Sequence, residues 1–209
     1  MEPVPLCSGE VIVTVEHPAQ MMSVDWNTCR ANAIVVPDAM SIPAVKSHAG
    51  GRPVGMLINA DGWNPEEDIG AEWPSERLIG RFKNIVSRAT HEEADFIYLR
   101  MRQNLHVLRA AVLAVTDQCG LGILAEIPVD EDRRTADNSS ALAVMGILQR
   151  IGVAGIILAG EPADVDDVIE ELAPYANVAL GVSVEPHELD QMQHLESVEF
   201  YHTSEENDI

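Results

Sequence analysis

The stretch that decides the fold runs Asp95-Phe96-Ile97-Tyr98-Leu99-Arg100-Met101, then Asn104–Gln118, then Leu121-Gly122-Ile123-Leu124-Ala125-Glu126-Ile127-Pro128-Val129, then Ser139–Arg150 and Val153-Ala154-Gly155-Ile156-Ile157-Leu158-Ala159. Three apolar runs of strand length alternate with two segments of helical character. In the first of those segments Leu105, Leu108, Val112 and Val115 fall on one stripe, and Gly120 follows as a stop signal. The runs are apolar almost throughout instead of every second residue. Such runs mark strands covered on both faces, as in a parallel sheet flanked by helices.

The same rhythm extends both ways. Further strands are expected at Val11–His17, Ala33–Asp38, Pro53–Ala60, Val178–Glu185 and Val198–Thr203, making eight in all. Helices are expected at Ser75–Glu93, with Leu78, Ile79, Phe82, Ile85 and Val86 on its apolar face, and at Ala163–Leu172. Ala39–His48 and Pro186–Leu195 read as shorter helices. Eight βα units predict a compact α/β fold, a (β/α)8 TIM barrel, spanning residues 1–209 as one domain. After the last strand only the acidic tail Ser204–Ile209 remains, so the eighth helix is expected to be missing. A gap in the helical ring would bare apolar strand surface, and a homo-oligomer or a partner subunit is expected to cover it. The rival architecture, a doubly wound open sheet, lacks its GxGxxG after the first strand.

Composition narrows the function classes. The chain has 209 residues, 46% of them hydrophobic, enough for one globular core. No apolar run is long enough to span a membrane, and Met1 to Gly9 reads as lacking a secretory signal. The cysteines, Cys7, Cys29 and Cys119, are few and far apart, which suits a reducing, cytoplasmic compartment. Net charge is −21, and the only lysines are Lys46 and Lys83. Such a surface repels a phosphate backbone, so no nucleic-acid partner is expected.

Barrel chemistry sits at the C-terminal ends of the strands, where alternate side chains point inward. Counting by parity places Thr14 and Glu16 inside from strand one. Val36 and Asp38 follow from strand two, and Leu57 and Asn59 from strand three. Tyr98 and Arg100 come from strand four, Leu124 and Glu126 from strand five, and Ala159, Ser183 and His202 from the last three strands. Nearly every strand thus ends in a polar or ionisable group, although charged residues are rarely buried unpaired.

Three uses fit this ring. Glu16, Asp38 or Glu126 could act as catalytic acids or bases. Glu16, Asp38, Asn59 and His202 could hold a hard divalent ion. Arg100 could grip an anionic group of a small-molecule substrate, with Asn59, Ser183 and His202 beside it. The competing reading is a structural ion-pair layer in which Arg100 neutralises Glu126. The segment Asp61–Trp73, with Trp63 and Trp73, reads either as a lid or as an anchored loop.

From about Glu76 to Glu185 the chain resembles the homocysteine S-methyltransferase family, which includes the homocysteine-binding barrel of cobalamin-dependent methionine synthase. The likeness rests on Glu93-Ala94-Asp95-Phe96-Ile97-Tyr98-Leu99, similar to the family's fourth strand. It rests also on Val129-Asp130-Glu131-Asp132-Arg133-Arg134-Thr135, similar to its D-x-x-GRT stretch, and on Leu148–Leu158. The resemblance implies a methyltransferase-like barrel of one-carbon metabolism, with a methyl-corrinoid or folate supplied by a partner. It also implies three zinc-binding cysteines. Here the corresponding strand ends read Leu158-Ala159-Gly160 and Tyr201-His202-Thr203, so no zinc is expected at that place. Val13-Thr14-Val15-Glu16-His17-Pro18 is similar to the first strand of methylenetetrahydrofolate reductase, which implies Glu16 as an acid near a pterin. The alternative to an enzyme is a non-catalytic barrel serving as a binding or regulatory subunit of a methyltransferase complex.

Overall fold

The computed structural model describes residues 10–15, 31–59, 75–100, 105–188 and 197–204. Eight parallel strands close on themselves in sequence order: β1 (Glu10–Thr14), β2 (Ala31–Val36), β3 (Val54–Asn59), β4 (Phe96–Arg100), β5 (Gly122–Pro128), β6 (Gly155–Ala159), β7 (Ala179–Ser183) and β8 (Phe200–Ser204). β8 returns to pair with β1, placing Ile12 opposite His202. The described helices are α1 (Ile42–His48), α2 (Ser75–His91), α3 (Leu105–Gln118), α4 (Ala141–Ile151) and α5 (Pro162–Leu172). The alternation expected from the sequence is therefore present, closed as a barrel.

Two apolar layers hold it together. Outward residues of the strands, such as Val11, Val13, Ile34, Ile97, Ile123 and Ile156, pack against the helices. Inward residues fill the lumen: Ile12, Ala33, Val35, Phe96, Tyr98, Leu124, Ile157 and Phe200. Two aromatic rings, Phe96 and Phe200, lie fully buried in this lumen. Room for them comes from strands that carry no side chain at that level. A Cβ built on Gly181 would lie 2.5 Å from the Phe200 ring, and Gly55 is crowded in the same way by Phe96. Each ring thus lies in the space a glycine leaves on its neighbouring strand, which fixes the packing of both.

Parity is correct for seven strands and wrong for one. Val36, expected inside, lies on the outer layer, while Ala33 and Val35 face the lumen. Both faces of β2 are apolar, so its residues carry no mark of which side faces in. The chain then leaves the strand at Pro37, and counting back from Asp38 shifts the register by one.

No helix among the described residues follows β8. Its outer face is nonetheless buried, Tyr201 at 3% and Thr203 at 2% exposure. The bare strand surface expected there is absent among the described residues, so this seam gives no argument for a covering partner. No described helix is long and apolar enough to cross a membrane.

Candidate active site

Above the aromatic layer most strands present a polar group, the exceptions being β2, whose inward residues are Ala33 and Val35, and β6, which ends in Ala159. Glu126 on β5 is fully buried and lies opposite Arg100 of β4 in the strand register. A buried carboxylate must be matched by donors and by positive charge. Both are present. The Tyr98 hydroxyl donates to Glu126 Oε2, and Arg100 Nε lies 3.3 Å from the same oxygen. The Arg100 guanidinium carbon also lies 5.5 Å from the centre of the Tyr98 ring, within cation–π range.

Electrostatics keep this trio in one state. Burial, and then the neighbouring Glu126 carboxylate, push the Tyr98 hydroxyl well above the usual tyrosine range, so it remains a donor. Burial alone would lower the Arg100 pKa; the Glu126 carboxylate beside it outweighs this, and the pKa is raised. The ion-pair reading of Arg100 and Glu126 thus describes their geometry. Arg100 still reaches a cavity while Glu126 does not line it.

A second polar chain crosses the seam where the barrel closes. His202 is 1% exposed and lies opposite Ser183 in the β7–β8 register. Ser183 Oγ is 2.9 Å from His202 Nδ1, and Thr14 Oγ1 of β1 is 2.8 Å from His202 Nε2. The imidazole also packs against the Tyr98 ring, with centroids 4.8 Å apart. Tyr98 therefore touches both chains, with Arg100 and Glu126 on one side of the network and His202 on the other.

These groups open into a cavity of about 600 Å³ at the C-terminal ends of β4 to β8. Arg100, Ser183 and His202 are its polar lining. Pro128, Val129, Ala159 and Val184 are its apolar walls, and Glu161, Glu185 and Glu188 add negative charge. The volume suits a small metabolite.

The sequence-derived ring meets the structure unevenly. Arg100, Ser183 and His202 come together at the cavity, and Glu126 supports Arg100 from beneath. Asn59 is exposed and lies opposite Arg100 in the β3–β4 register, outside the cavity lining. Asp38 is exposed and caps the short turn Ala39–Ser41, accepting from Ser41 N at 3.0 Å and Ser41 Oγ at 2.8 Å. Glu16, His17, Cys7, Cys29 and the tryptophan-bearing segment fall outside the described residues. Thr14 and Tyr98 belong to this polar network although the sequence marks them only as inward-facing. Their inward parity was the available signal; their partners lie on other strands.

The zinc site implied by the resemblance does not fit. The ends of β6 and β8 offer Ala159, Gly160, His202 and Thr203, none of them a thiolate. Among the described residues no group of three or more His, Cys, Asp or Glu side chains is placed to hold a metal ion. The stretch similar to D-x-x-GRT forms a loop bound to itself: Asp130 Oδ1 accepts from the backbone of Asp132 at 3.0 Å and Arg134 at 2.8 Å. Arg133 stands where the family has glycine and keeps a left-handed φ of 59°, its guanidinium paired with Asp167 and Glu171 on α5.

No protein-family model and no curated protein sequence matches the chain. Similar solved structures exist. The homocysteine methyltransferase MmuM from Escherichia coli, in its apo form, superposes with a TM-score of 0.74 at 10% identity, over 94% of this chain and 91% of that one. The carboxyl transferase domain of Rhizobium etli pyruvate carboxylase, solved with pyruvate, gives 0.67 at 10% identity, over 96% of this chain and 40% of that one. At such identity the likeness establishes the fold, a TIM barrel of the kind that carries methyltransferases and carboxyltransferases. It does not transfer a substrate or a mechanism.

Proposed function

We propose that the protein is a barrel enzyme that takes a small molecule bearing an anionic group into the cavity above β4 to β8. The observation that carries this reading is Arg100. Its Nε is spent on Glu126, while the side chain still lines the cavity. A guanidinium presents five donors in a fixed fork, so one edge can be anchored while others receive a carboxylate. Glu126 and Tyr98 hold the fork in place, so little orientation is lost on binding. His202, at the same cavity, is the acid–base group of this reading, and the Ser183 hydroxyl mediates between it and the ligand.

Methyl-group chemistry, as the resemblance implies, would use a donor brought by a methyl-corrinoid or folate partner. Titration calorimetry with small mono- and dicarboxylates and their neutral amides tests the anchoring. Carboxylates should bind and amides should not. Arg100→Lys, which keeps the charge but loses the fork, should weaken binding by about tenfold. Equal binding of acids and amides, or no effect of Arg100→Lys, would remove the reading.

A further inference from the structure

The chain Ser183–His202–Thr14 has a use that anion binding does not require. A serine hydroxyl is a poor nucleophile unless an adjacent base removes its proton and a third group orients that base. Here the hydroxyl facing the cavity is 2.9 Å from one ring nitrogen of a buried imidazole. The other ring nitrogen is 2.8 Å from a second hydroxyl, that of Thr14, which is 1% exposed. With the proton on Nε2 pointing at Thr14, Nδ1 presents its lone pair to Ser183. Tyr98, packed against the ring, limits its rotation. The three residues sit on β7, β8 and β1, neighbours in the closed sheet, so strand pairing fixes their spacing.

We propose that Ser183 is a nucleophile for acyl transfer, with His202 as its base and Thr14 as a positioning residue. The substrate class is a small ester or thioester whose anionic end is held by Arg100, a detail that rests on the proposed function above. Ser183 Oγ attacks the acyl carbon as its proton passes to His202 Nδ1. The bond to the leaving alkoxide or thiolate then breaks, and that group takes the proton from His202. Water, deprotonated by the same nitrogen, then attacks the acyl carbon; the bond to Ser183 Oγ breaks, Oγ takes the proton back from His202, and the carboxylic acid is released. No oxidant, metal or further reactant is needed.

The test uses two chromogenic esters on the full chain, p-nitrophenyl acetate and mono-p-nitrophenyl succinate. Both should give a stoichiometric burst of nitrophenolate and an acyl adduct mapped to Ser183 by peptide mass spectrometry. Ser183→Ala and His202→Gln should each slow the burst by about 10³-fold or more, in proteins whose far-UV circular dichroism is unchanged. Thr14→Val should slow it by about tenfold and Thr14→Ser should restore it, which a packing role alone would not produce. Arg100→Lys should slow the succinate ester much more than the acetate ester. Failure of that last variant alone would overturn the anionic-substrate reading while leaving the nucleophile intact. Absence of any adduct on Ser183 with the acetate ester, or equal bursts in Ser183→Ala, would overturn the nucleophile whatever Arg100 binds.

Discussion

Toward the N-terminal ends of the strands the lumen holds Phe96, Phe200, Ile12 and Leu124. Two residues further along the same strands it holds Tyr98, His202, Thr14 and Glu126. One pleat repeat, about 6.6 Å of chain, separates a dry apolar layer from a hydrogen-bonded polar one. The lower layer needs only shape: rings fitted against glycines. The upper layer needs every polar atom matched, because an unmatched buried group costs more than the matched one returns. The two layers should therefore respond to substitution by different mechanisms, and that is how the contrast can be broken or sharpened.

The largest effect is expected below. Phe200→Ala removes a fully buried ring beside Gly181 and should lower the free energy of unfolding by about 4 kcal/mol, read from urea denaturation. Next comes Glu126→Leu, which preserves bulk but leaves Arg100 and the Tyr98 hydroxyl without their shared acceptor. A loss of about 3 kcal/mol is expected, and an unchanged midpoint would mean the polar layer is not held by that carboxylate.

Alkali separates the layers without altering size. Tyr98 has its pKa raised by burial in the folded state, so its contribution is present below 10.0, the unfolded value, and is lost as pH climbs past it. Stability should fall above that pH by up to about 1.4 kcal/mol per pH unit for this one group. Tyr98→Phe should flatten the slope in thermal melts taken on both sides of it; an identical slope would assign the alkaline loss to other groups. The smallest effect lies outside both layers. Arg133 holds a left-handed φ of 59° at the surface, with exposed partners. Arg133→Gly should raise the melting temperature slightly, since relief of the backbone outweighs two screened ion pairs. A loss on calorimetric melting would show those pairs to matter more than the turn.

The contrast also explains what could be read without coordinates. Strand identity was legible because continuous apolar runs separated by helical stripes have few other uses, and Phe96, Tyr98 and Arg100 declare an inward face by their spacing. On β2 both faces are apolar, so Val36 was assigned to the wrong side. Asp38 reads as an inward carboxylate at the end of β2, yet the chain turns at Pro37 and its oxygens go to Ser41. The meeting of Thr14 with His202 was not legible at all. It depends on the register with which the barrel closes, a property of strand shear that no local pattern encodes.

That closure has a consequence for how the protein comes into being. Thr14 and His202 are 188 residues apart along the chain, so their contact closes a very long loop. Contacts of such long sequence separation are made slowly, against a large loop entropy. On the ribosome the first strand must wait, unpaired on one edge, until the last has emerged. A growing chain therefore holds both members of the Arg100–Glu126 pair well before His202 is available to meet Thr14.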